Sequence, residues 1–186
     1  MKRYEITPGL GKIVYTEWMI PLKDYYCSIR KNEGTFEIAI PLIIAIGCSI
    51  SYVVVEKTFI ALKALSGFLP TAISILIGFT VMLITLLLTS DSENIKTLKT
   101  TKTKNSLNGN PISLFQNLHI QFVHSLLSEI LLLLIVFLFL FWYGLGMSLT
   151  ISSCFLFFEV YFTLNILFSI LRGVTNIYFS FFKHKG

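Results

Sequence analysis

Between Leu126 and Tyr143 the chain reads LLSEILLLLIVFLFLFWY, a run with one ionisable side chain, Glu129. A helix needs about 20 apolar residues to cross a hydrocarbon layer of about 30 Å, and in that layer its backbone groups can be satisfied only within a helix or a closed barrel. Three further stretches meet the requirement: Phe36 to Val55, Phe68 to Thr89 and Leu149 to Leu171. The first of these contains Pro41 and Gly47, which membrane helices tolerate. The expected fold is therefore an all-α membrane protein with four transmembrane helices in a bundle. A hydrophobic content of 54%, a charged content of 13% and a mean hydropathy of +0.75 exclude an ordinary soluble domain.

The basic residues set an expected direction. Six Lys and Arg precede the first span, two lie between Glu56 and Gly67, four between Ser90 and Ser125, none between the last two spans, and three from Arg172 onward. The positive-inside rule then places both termini in the cytoplasm, with thirteen cationic residues inside and two outside. This bias accounts for the formal net charge of +5 without a nucleic-acid surface, and no direct nucleic-acid binding is expected. The expected segments are a cytoplasmic or interfacial N-terminal region over 1–35, a first transmembrane hairpin over 36–89, a cytoplasmic loop and amphipathic helix over 90–125, a second hairpin over 126–171 and a cytoplasmic tail over 172–186. A cleavable signal peptide is not expected, because the first apolar run starts only at Phe36. Cys27, Cys48 and Cys154 form no metal-binding or disulfide pattern.

In the N-terminal region, KIVYTEWMIPLKDYYCSIRK suits either a helix lying at the inner surface or an irregular lead-in, since Pro8 and Pro21 interrupt any long helix. The Lys/Thr/Asn-rich stretch from Asp91 to Asn110 reads as a solvated loop. Asn110 as cap and Pro111 at the first helical position predict one helix of about 33 residues, near 50 Å, that runs to Tyr143 and extends into the cytoplasm. Its lower half has a polar stripe, Asn117, Gln121, His124 and Ser128, beside an apolar stripe, Phe115, Leu118, Phe122 and Leu126. The apolar stripe requires a cover: the inner leaflet, a second copy or a soluble partner. Phe115, Asn117, Gln121, Phe122 and His124, with Lys96, Lys99, Lys102 and Lys104 of the loop, are the expected partner-facing residues. His119 and His124, five apart, are badly spaced to share a metal on one helix, and no metal or other cofactor is expected.

Within the spans, Glu159 sits near the midpoint of the fourth helix, where a charge costs on the order of 3 kcal/mol or more. It must be protonated, hydrogen-bonded or facing a wet cavity. Three readings follow: a hydrogen-bonded structural acid, a group on the axis of a homo-oligomer that gates or senses, or a substrate or proton site. Gly47, Cys48, Ser49, Ser74, Gly78, Thr80 and Thr163 are at comparable depth. Glu129 and Glu37, about a turn inside their spans, are expected to reach the interface, Glu129 by snorkelling or by pairing with a loop lysine. Asn165 begins a second polar stripe with Ser169, Arg172 and Asn176, and two polar faces on one helix favour an oligomer. Gly47 with Ser51 and Ser74 with Gly78 predict close packing of the first two spans, and the third span, which has nothing polar between Glu129 and Trp142, is expected to be the most lipid-exposed. No P-loop, GxGxxG, HExxH or Ser/His/Asp set is present, so the expected protein is not an enzyme.

The layout, with WMIPLKDYYCSIRK leading into FEIAIPLIIAIG and a long helix opening on NPISLFQNLHIQFVHSLL, resembles the membrane subunit of the bacterial Kiwa antiphage system. The resemblance covers the whole chain in layout and brings no residue roles with it. It implies a homo-oligomer, a tetramer by preference, in the bacterial inner membrane. Such a subunit detects infection and anchors a soluble DNA-binding effector on the cytoplasmic side. The competing expectations are a small oligomeric channel that depolarises the membrane and, behind it, a small transporter or flippase subunit.

Overall fold

A computed structural model describes residues 17–107, 109–143 and 145–181, with the side chains of residues 180 and 181 left aside. The elements are α1 (Met19–Ser28), α2 (Lys31–Gly34), a π-helical turn (Thr35–Ala39), α3 (Ile40–Val54), α4 (Thr58–Thr89), α5 (Glu93–Thr100), β1 (Lys102–Leu107), β2 (Asn110–Ser113), α6 (Leu114–Tyr143) and α7 (Leu149–Phe181). Four helical stretches, Lys31–Val54, Thr58–Thr89, Leu114–Tyr143 and Leu149–Phe179, are long and apolar enough to cross a membrane. The chain is a multi-pass membrane protein. At 1.5 Å per residue its three longest helices measure about 45 to 50 Å and exceed the hydrocarbon layer at their ends.

The helix expected to be the most lipid-exposed is the most enclosed. α6 packs against both α4 and α7, and Leu118, Phe122, Leu132 and Val136 are fully buried. Leu132 and Val136 meet Leu69 and Ile73 of α4 and Ile166 of α7, and Phe139 meets Leu62 and Leu156. The expectation failed because lipid tails are as apolar as leucine, so membrane helices associate by fit rather than by polarity, and a helix without polar groups is free to be central. The small-residue pairs do not join the first two spans either. α3 lies against α7 and barely touches α4, while a Cβ added to Gly47 or Gly78 would meet nothing within 4 Å. The hydroxyls of Ser51 and Ser74 donate to Gly47 O and Pro70 O of their own helices, both at 2.7 Å, and need no neighbour.

The stretch expected to be a solvated loop is ordered at two levels. Ser92 caps α5, its Oγ accepting from the Ile95 N–H at 3.4 Å, and Ile95 and Leu98 bury themselves against Leu87, Leu118 and Phe122. The chain then forms an antiparallel β-hairpin, β1 with β2, in which Leu107 faces Asn110 and Gly109 takes the positive φ of +80° that the tight turn requires. Asn110 and Pro111 are therefore strand residues and do not start a helix. A proline is tolerated here because a two-stranded sheet has edges on both sides. α6 begins instead on a reciprocal cap: the Ser113 Oγ accepts from the Gln116 N–H at 3.2 Å, and the Gln116 Oε1 accepts from the Ser113 N–H at 2.9 Å. At the other end of the chain, the expected tail from residue 172 is helical as far as Phe181. Of the N-terminal region, α1 is helical with Pro21 in its first turn, where no amide is needed. Residues 1–16, including Pro8, and residues 182–186 lie outside the described residues.

Candidate functional site

Pro41 is where the site starts. It has no N–H to offer the carbonyl four residues earlier, Glu37 O, and its ring crowds that carbonyl. The backbone widens there into the π-helical turn Thr35–Ala39, and the freed Glu37 carbonyl accepts a hydrogen bond from Asn165 Nδ2 of α7 at 2.7 Å. The same distortion turns the Glu37 side chain inward, where it is fully buried.

Four residues before Glu37, and so on the same side of its helix, is Glu33. The guanidinium of Arg172, on α7, spans both carboxylates: its Nη1 lies 2.8 Å from Glu33 Oε2, and its Nε pairs with Glu37 Oε1. Arg30 closes the other side of Glu33, with Nη2 at 2.9 Å and Nε at 3.1 Å from Oε1 and its backbone N–H at 3.2 Å from Oε2. Two arginines and two glutamates thus neutralise each other, the condition under which charges persist away from water. Glu37 also accepts from the Tyr25 hydroxyl and from Gln121 Nε2 at 3.4 Å. Burial, with the Glu37 carboxylate as a second cause, pushes the Tyr25 phenol well above its ordinary range, so it stays protonated and remains a donor.

Neutral groups extend the cluster outward. Asn105 of β1 donates from Nδ2 to Glu33 Oε2 at 3.1 Å and to Asn117 Oδ1 at 3.0 Å, which ties the hairpin to α2 and α6. Gln121 Nε2 donates to Ser169 O of α7 at 2.6 Å. His124 stacks face to face on Tyr25, with ring centroids 3.6 Å apart, and meets Tyr26 edge-on. One arginine therefore joins elements from both ends of the chain, and the hairpin meets α6 directly through Asn117 and α7 by way of Glu33 and Arg172.

The residues singled out from sequence divide into three groups. Asn117, Gln121, His124 and Asn165 are brought together in this cluster; the polar stripe of α6 is buried inside the chain and not turned outward. Phe115 and Phe122 also have a cover within the chain, because α5 and the end of α4 close over them; Lys99 sits over the Phe115 ring at 5.2 Å. Lys96, Lys102 and Lys104 are exposed.

The membrane acids form the third group, away from the cluster. Glu129 neither snorkels nor meets a lysine: it is fully buried and accepts from Thr80 Oγ1 at 2.8 Å, because α6 starts far enough below it for α4 to cover it. Glu159 is equally buried and accepts from Ser66 Oγ at 2.8 Å. Thr163 donates to the Glu159 backbone carbonyl at 2.6 Å and lines an open apolar groove with Ile166 and Leu167. Each acid is held by a hydroxyl of α4, the arrangement of a hydrogen-bonded structural acid within one chain.

Sequence reasoning passed over Tyr25, Arg30 and Glu33, left Glu37 as an ordinary end-of-span acid, and placed Arg172 only within a polar stripe and the basic count. The available signals were the Glu33/Glu37 spacing and the proline four residues after Glu37. Among the described residues there is no group of three or more His, Cys, Asp or Glu side chains placed to hold a metal ion. No family model, curated protein or solved structure matches the chain.

Proposed function

We propose that this chain is a non-enzymatic sensor and anchor in the bacterial inner membrane, a subunit of an antiphage defence complex that recruits or controls a soluble cytoplasmic effector. The observation that carries the reading is the continuous link from α7 through Arg172 and Glu33 to Asn105 of the hairpin. A displacement of the membrane helices has a stiff route along it to a surface outside the bilayer. The layout-level resemblance to the Kiwa membrane subunit points to the same kind of role. The charge bias along the sequence supports a cytoplasmic side for the hairpin, α5 and both termini. A homo-oligomer, with a tetramer as the first choice, is supported by the small and exposed Gly47, Ser51, Ser74 and Gly78, which allow close approach of another helix.

The test is purification of the tagged full-length chain from cells that also express its flanking genes. The proposal expects a soluble protein encoded by one of those genes to follow the chain into detergent, and phage plating on those cells to fall relative to cells lacking the chain. If neither a soluble partner nor protection is seen, the recruitment reading is wrong. Loss of membrane potential on expression of the chain alone would instead favour a channel.

A further inference from the structure

Next to the ionic cluster is a second feature with a different charge balance. A cleft of about 410 Å³ opens between α2, the hairpin, α6 and α7, with Arg30, Lys102, Lys104, Asn117 and Asn176 among its walls. That is within the size range of small-ligand sites. Its one acidic wall residue, Glu33, is already occupied by Arg30 and Arg172. Lys102 and Lys104 are exposed, and among the described residues neither forms an ion pair with a carboxylate. The cleft therefore has uncompensated positive charge, together with amide and hydroxyl groups from Asn117, Asn176 and Thr101.

We infer that this cleft is a phosphate-binding site for the headgroup of an anionic phospholipid. The ligand's chemistry follows from the walls: a phosphate oxygen satisfies lysine ammonium groups and amide donors together. Its source follows from position. Arg30 and Glu33 of the wall stand at the start of the apolar stretch Lys31–Val54, and Asn176 stands near the end of Leu149–Phe179, so the cleft lies at the ends of two membrane-spanning stretches, where headgroups lie. A headgroup at that position keeps its acyl chains in the hydrocarbon layer, whereas a free phosphate gains nothing from it. This inference requires only that the chain cross a membrane, and it stands apart from the effector proposed above.

The test uses the purified full-length chain in nanodiscs of phosphatidylcholine, with fluorescent phosphatidylglycerol as probe. Wild type is expected to retain the probe over phosphatidylcholine, and the double variant Lys102→Gln/Lys104→Gln to lose on the order of 10-fold in retention. Lys57→Gln/Lys63→Gln, changed at the opposite end of α4, is expected to behave as wild type. Both pairs are exposed, so equal melting temperatures of the two variants confirm that folding is intact. Equal retention by wild type and Lys102→Gln/Lys104→Gln overturns the site. Stabilisation of the lipid-free chain by millimolar inorganic phosphate, dependent on Lys102 and Lys104 and without probe retention, overturns the lipid source.

Discussion

The guanidinium of Arg172 faces two carboxylates in a region where its side chain is 12% exposed and that of Glu37 fully enclosed, so loss of either partner strands a charge. Removing one member of such a pair costs about 3–5 kcal/mol, most of it the desolvation of what remains. Glu37→Gln is expected to cost in that range in a denaturation titration of the detergent-solubilised chain. Glu37→Gln/Arg172→Gln is expected to be less destabilised than the sum of its single changes, because neither charge is then left alone. Tyr25→Phe is expected to cost about 1–3 kcal/mol, the penalty for an unmet buried acceptor. It also carries a pH signature. The phenol is raised in the folded chain, so its contribution to stability is fully present below about pH 10, the unfolded value, and is lost as pH rises above it. The difference in stability between wild type and Tyr25→Phe should shrink above pH 10, and a difference constant from pH 8 to 11 contradicts the assignment. At this scale the sequence singled out Glu159 by depth and left Glu129 near the interface. Depth does not reveal facing, and both acids turn out to be met by a single hydroxyl on α4. The residue with the richer surroundings, Glu37, looked ordinary because its partners Tyr25, Gln121 and Arg172 are 12 or more positions away in sequence.

Elements here owe their ends to local chemistry, which makes them separately testable. Gly173 lies so near Phe122 that an added Cβ would come within 2.7 Å of the ring, and that ring is fully enclosed. Gly173→Ala should therefore force α7 from α6 and cost about 1–3 kcal/mol, measured by the same titration. Gly109→Ala places a side chain at φ +80° and should loosen the hairpin, seen as faster amide hydrogen exchange over β1 and β2 with the four long helices unchanged. The four membrane helices were legible because an apolar run of that length has few alternatives in lipid. The hairpin and α5 were obscured by polar composition, although their own signals were present: Asn-Gly at 108–109, Ser113 three residues before Gln116, and Ser92 before Ile95 and Leu98. Asn110–Pro111 fits a helix start locally, and the hairpin prevails because the turn before it and the cap after it leave those residues extended. Which helix is central could not be read from polarity, since packing inside a bilayer is decided by shape.

For the whole molecule, a small hairpin and helix are tied to the membrane-spanning part by the neutral charge cluster, by the Asn105–Asn117 bond and by Ile95 and Leu98 packed on Leu118 and Phe122. Under the proposed function, a change in how α7 sits is felt at the hairpin, and whatever binds the hairpin feels it in turn. The sequence contributed the positive-inside bias and the layout, while the cluster required the fold, because its members come from α1, α2, β1, α6 and α7. The most direct measurement is capture of the proposed soluble effector, co-expressed from a flanking gene, by the tagged wild-type chain beside Asn105→Ala. This variant removes both hydrogen bonds of the hairpin amide, to Glu33 and to Asn117 of α6, and leaves both Arg172 pairs in place. At equal amounts of chain in the membrane, wild type should carry the effector and Asn105→Ala on the order of 10-fold less, as expected for loss of a hydrogen bond to a charged group. Equal capture by the two chains, or none by wild type, would contradict the proposed function.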